Sequence, residues 1–199
     1  MGKKGKIKND LQSASEGVGP LLQRDYWAVL RATPYSPHEV ISILREDFFI
    51  FPPEELVVFR RSDNKQKSLQ VGDKLDVMIR MKKPVAVRVI HLSPASITLG
   101  TVKKHPEAGR ITFGSYRNKQ QDVIFHIRSR ARQGSALDYA EFNMIGDAMQ
   151  TTTWTDYINR LAHMIGEGII DSIHVEKQEV EQREEDETMD APTFIAEGD

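Results

Sequence analysis

Within residues 101–114, TVKKHPEAGRITFG, His105, Pro106 and Glu107 stand side by side. A histidine beside a carboxylate is the ordinary layout for proton transfer, because the carboxylate orients the ring and favours its charged form. Catalysis by His105 and Glu107 is one reading of the trio, and contact with a bound ligand is a second. The third is structural. Pro106 biases His105 toward extended backbone, Gly109 accepts a positive φ that other residues resist, and Glu107 can accept N–H bonds within the turn. No serine, cysteine or second carboxylate stands at a spacing that completes a nucleophilic site. The structural reading therefore leads, and an enzyme ranks last.

Arg88 and Arg128 lie in alternating apolar runs, VAVRVIHL (85–92) and DVIFHIRSR (122–130). A half-buried guanidinium needs an anionic partner. That partner is either a carboxylate of the chain, such as Asp76 or Asp138, or the carboxylate or phosphate of a ligand. His91, His105 and His126 with Glu107 are the one set that invites a metal, but their spacing matches no metal signature, so no metal is expected. The chain has no cysteine, which excludes thiolate metal sites, disulfides and cysteine nucleophiles. GEG at 166–168 follows a helical pattern rather than joining a strand to a helix, so no nucleotide loop is present. FRRS (59–62) lacks the Asp/Asn-x-Ser-x-x-Gly companion of arginines that bind cyclic dinucleotides. No cofactor is expected.

The elements that must position these residues follow from composition and periodicity. A chain of 199 residues is about one domain with tails. Residues 1–20 are rich in Lys, Gly and Ser and are expected to form a flexible basic arm. From Glu176 to Asp199 there are ten acidic residues against Lys177 and Arg183, which predicts a disordered acidic tail over 176–199. The remainder carries a basic excess too small and unclustered for nucleic acid. No run approaches the roughly 18 apolar residues of a membrane span, and no apolar stretch follows the first lysines. A cytoplasmic protein is therefore expected.

Between those tails the domain is expected over residues 21–175. DYWAVLRA (25–32) is a strand candidate. SPHEVISILREDFF opens with a capping box, Ser36 to Glu39, and Pro37 suits the first helical position. Phe48, Phe49 and Phe51 then serve either as core anchors or as the wall of an apolar pocket. Six further strands follow at period two, within 55–61, 74–80, 85–92, 96–102, 110–116 and 122–130, joined by short turns. Tyr157, Leu161, Ile165 and Ile169 recur four apart and predict a long terminal helix continuing to Ile173. The expected fold class is α+β, a curved antiparallel sheet of six or seven strands around a long C-terminal helix.

The stretch from Arg88 to about Leu161 resembles the uncharacterised bacterial and plant family known as "domain of unknown function 1990". The residues that carry the resemblance are Gly100, Thr101, His105, Pro106, Glu107 and Gly109. Ile127, Arg128 and Ser129 at the hairpin end, and Gln150 with Tyr157 in the helix, extend it. VGDKLDV (71–77) adds a less specific match. Lys104 stands where the family has glycine, Arg110 and Ile111 where it places acidic residues, and Leu99 where it has an aromatic. That family is similar to the birch-pollen-allergen and START-like superfamily, so the resemblance implies a helix-grip fold with a cavity. It implies no activity.

A gap between a curved sheet and its helix is a natural site for apolar ligands. The leading expectation is a non-enzymatic module that holds a small apolar or amphipathic ligand there. Arg88, His105, Glu107, His126, Arg128, Tyr157 and Leu161 are its candidate contacts. The alternative is a protein-interaction module, an adaptor or immunity-type protein, using the sheet surface or the acidic tail with Phe194 and Ile195.

Overall fold

The computed structural model describes residues 10–62, 68–80 and 82–189, without the side chains of 136–145. Its elements in chain order are β1 (Val18–Leu30), α1 (Pro37–Asp47), a 3-10 turn at Phe48–Ile50, and β2 (Val57–Arg61). Then come β3 (Lys74–Ile79), β4 (Val85–Leu92), β5 (Ser96–Thr101), β6 (Glu107–Arg117) and β7 (Val123–Gln133). The chain closes with α2 (Ala136–Ile165), β8 (Ile169–Glu179) and α3 (Glu184–Thr188). All eight strands form one antiparallel sheet in the order β2-β3-β4-β5-β6-β7-β1-β8. The fold is an α+β helix grip, with α1 and α2 on one face of a curved sheet.

Period two decides which face each residue meets. Phe59, Val77, Val87, Leu99, Phe113 and Phe125 point to the inner face, under the helices, and are buried. Register aligns Leu99, Ile111, Ser129 and Arg24 as one inner row across β5, β6, β7 and β1. The alternate positions, among them Arg88, Arg110, His126, Arg128 and Arg130, point to the outer face. A one-residue step therefore separates the core from the outside.

The α1 cap forms as its sequence predicts. Ser36 N–H donates to Glu39 Oε2 at 2.8 Å, and Glu39 N–H donates to Ser36 Oγ at 3.4 Å. Val40, Ile41 and Leu44 bury one face of the helix. Phe48 then enters the centre of the core, edge-on to Phe59 and Phe113 at 5.4 and 5.3 Å. Phe48 and Phe51 are core anchors, 0% and 1% exposed. Tyr157, Ile158, Leu161 and Ala162 of α2 close the other side.

Three expectations are corrected. The sheet has eight strands instead of six or seven, because the long helix stops at Ile165 and residues 169–179 pair with β1. Gly168 takes φ 92, and Arg31 and Gly168 bond across the turn at 2.8 Å. The apolar positions 169, 170, 173 and 175 fit a half-buried strand as well as a helix face, and the glycines decide between them. The N-terminal arm is ordered from residue 10: Leu11 bridges to Val102, and Gln12 N–H donates to Thr101 O at 2.8 Å.

The third correction is the acidic tail. Residues 176–179 complete β8, and α3 folds onto the outer face of the sheet. Asp186, 1% exposed, accepts from Arg110 at 3.1 Å and from Arg130 at 2.7 Å. The carboxylate run supplies the counter-ion that two outer-face arginines need. Residues 1–9 and 190–199, with Phe194 and Ile195, lie outside the described residues. Among the described residues no helix is long and apolar enough to cross a membrane.

Candidate functional site: a cavity under the sheet

Inner-face side chains of β2 to β7 and the middle of α2 enclose a cavity of about 750 Å³. Val57, Phe59, Val77, Val87, Leu99 and Ile111 form its sheet wall, and Met149 and Trp154 form its helix wall. Arg80 and Lys82, both exposed, stand at its rim. The strand alternation that builds the core leaves this space because α1 and the C-terminal half of α2 fill only the other end of the sheet.

The inner end of the cavity is polar. Glu107, whose side chain is 14% exposed, accepts from Gln150 Nε2 at 2.6 Å and from Arg24 Nη1 at 3.5 Å. Arg24 also reaches Asp147 at 3.3 Å, and Asp147 takes Lys177 at 2.9 Å. Burial raises the Glu107 pKa above the ordinary carboxylate value, and the Arg24 charge and the Gln150 bond offset only part of that. Burial also acts on Asp147, but its bond to Lys177 and the charges of Lys177 and Arg24 outweigh it and hold that carboxyl low. The Tyr26 hydroxyl, bonded to Thr151, is pushed up to about 12, chiefly by burial. Ser129 Oγ and Gln150 Oε1 are buried in the cavity wall without a hydrogen-bond partner.

His105 and Glu107 both line the cavity, but they are not an acid–base pair. Glu107 N–H lies 3.0 Å from His105 Nδ1, and Glu107 O lies 3.0 Å from the same nitrogen, so the ring is pinned by backbone. The Glu107 carboxylate turns away to Gln150 and Arg24. The turn is tied further by Gly134 N–H to Pro106 O at 2.7 Å and by Gly109 N–H to Thr101 Oγ1 at 3.0 Å. Gly109 adopts φ 153, and an added Cβ there would meet Arg130 O at 2.2 Å. Lys104 adopts φ 78 in the same turn.

The other candidates lie elsewhere. Arg88 is on the outer face, paired with Asp10 and donating to Gly72 O at 2.7 Å, rather than with Asp76. The side chain of Asp138 lies outside the described residues. Arg128 and His126 share Asp25 on the outer face, at 2.5 and 2.6 Å. These three residues therefore cannot meet a ligand inside the cavity, since the sheet separates them from it. Tyr157 and Leu161 are fully buried core groups against Phe48, Phe51 and Phe113 and do not line the cavity. Among the described residues no group of three or more His, Asp or Glu gathers as metal ligands.

Arg24, Ser129 and Gln150 were not picked out as site residues by sequence. Arg24 precedes the run DYWAVLRA and was placed outside the strand, although its parity with Tyr26 and Ala28 sends it inward. Ser129 alternates with Ile127 and Ala131, which marks an inner position. Gln150 stands seven before Tyr157, two helical turns along α2.

No family model and no curated protein sequence matches the chain. Solved structures do. A hypothetical protein of Helicobacter pylori superposes with a TM-score of 0.52 at 10% identity, over 71% of this chain and 86% of its own. A Thermobifida fusca protein superposes with a TM-score of 0.50 at 10% identity, over 76% and 98%. A Thalictrum norcoclaurine synthase mutant, solved with a transition state analogue, gives 0.49 at 8% identity over 74% and 96%. At such identities the likeness is one of fold alone.

Proposed function

We propose that the chain is a binding module whose cavity holds a small apolar or amphipathic molecule between the sheet and α2. The observation that carries this reading is the cavity itself, about 750 Å³, with an apolar wall and a polar inner end. That volume lies within the range of about 300–1,000 Å³ usual for small-molecule sites, and a few placed polar groups at one end are what fix a ligand's orientation. His105 then acts as part of the turn that lines the cavity, and Glu107 as part of its polar end. The pinning of the His105 ring by the Glu107 backbone supports binding over catalysis.

Native mass spectrometry of the gently purified full chain, followed by solvent extraction, tests the reading. A reproducible adduct that leaves on denaturation is expected. Uptake of the neutral dye Nile red should fall strongly in Leu99→Trp, which fills the cavity. Equal dye binding by parent and Leu99→Trp would remove the cavity as the site.

A further inference from the structure

Given the reading that the cavity holds a ligand, its inner end specifies the ligand's head group. Among the described residues the charges there are paired, Arg24 and Lys177 with Glu107 and Asp147. A charged head would enter without a counter-ion of its own, and an unpaired buried charge is far more costly than a bonded neutral group. Hydrogen-bonding capacity, by contrast, is left over. Ser129, 7% exposed, buries its Oγ without a partner, and Gln150 buries Oε1 while its amide nitrogen serves Glu107. Ser129 stands in register with Ile111 on one side and Arg24 on the other, and Arg24 reaches the carboxyl that holds Gln150. Both residues line the same cavity, beside Glu107.

Their chemistry selects further. Gln150 Oε1 can only accept, whereas Ser129 Oγ both accepts and donates. A carboxylate head offers no hydrogen to Gln150 and adds negative charge beside Glu107. An ammonium head adds positive charge beside Arg24. A hydroxyl donates and accepts without adding charge. We propose that the ligand is an uncharged amphipathic alcohol, its hydroxyl end held by Ser129 and Gln150 and its hydrocarbon body lying against Val87, Leu99 and Ile111.

Displacement of Nile red from the full chain at neutral pH, by dodecanol, dodecanoate and dodecylammonium in turn, tests this. Dodecanol should compete at a concentration about tenfold lower than either charged probe, the size expected for one or two buried hydrogen bonds. Ser129→Ala should erase most of that preference, with each probe's displacement read against the variant's own dye affinity. Dodecanoate displacing the dye as well as dodecanol overturns the proposal. If Arg80→Ala then removes the dodecanoate binding, the head sits at the rim instead. Dodecylammonium matching dodecanol overturns it equally. Both of those outcomes leave the cavity standing as a binding site. Failure of the dye and all three probes to bind overturns the cavity reading as well. The comparison on the parent protein needs no variant to fold.

Discussion

Glu107 is a carboxyl held largely away from water, and its raised pKa ties it to stability in a definite direction. A folded-state pKa above the unfolded value of 4.5 means that the folded chain binds the proton more tightly. The stabilisation from this group is therefore complete below 4.5 and is lost as pH rises through the raised value. In Glu107→Gln that dependence disappears. The stability of the parent minus that of the variant should fall as pH rises above 4.5 and then level off, as read from urea midpoints across pH. A difference that does not change with pH would mean that Glu107 is not shifted. Asp186 is the opposite case. Burial alone would raise its pKa, but its bonds from Arg130 and the Arg183 backbone hold it below 3.8, so its stabilisation is kept at neutral pH and lost in acid.

At the scale of elements, the turn between α2 and β8 is where the chain chooses between helix and strand. Gly168 takes φ 92, and a Cβ there would lie 2.9 Å from the His163 ring. A non-glycine residue in the left-handed region costs about 1–2 kcal/mol, so Gly168→Ala should lower the unfolding free energy by about that much. A denaturant titration that finds the two proteins equal would show that the turn tolerates a side chain. β8 owes its place to that turn and to pairing with β1, since most of its residues are exposed on both faces. α1 is different. Its capping box, its proline and its buried stripe are all local, so sequence and structure agree there without tertiary help.

At the scale of the whole molecule, segments early and late in the chain, around Leu11 and around Asp186 to Met189, pack on the outer face of the sheet. Leu11 and Met189 meet over Gly100, where an added Cβ would come 2.9 Å from Met189 Cε. Breaking a buried ion pair by removing one partner costs about 3–5 kcal/mol, because a charge is left uncompensated. Asp186→Ala should therefore lower the thermal midpoint clearly, as Arg110 and Arg130 lose their common carboxylate. A chain ending at residue 180 should show a similar loss. Unchanged midpoints in both would show that the acidic segment adds nothing to stability.

What the sequence determined by itself is what depends on neighbours along the chain. Period two placed seven of the strands, the capping box placed α1, and the four-residue recurrence through Tyr157, Leu161 and Ile165 placed α2. His105 and Glu107 were legible as a turn, and that turn lines the cavity. The tertiary structure decided what depends on register and partner. Arg88, His126 and Arg128 share a strand pattern with inner residues, and only the pairing of the sheet fixes them to the outer face with Asp10 and Asp25. Arg24 and Gln150 are 126 positions apart in sequence, yet they meet at Glu107 because β1 closes against β7 after five intervening strands. Asp186 looks like one carboxylate among many until the sheet presents two buried arginines to it. Sequence patterning sets what each segment is, and long-range pairing sets which charges and hydroxyls face one another.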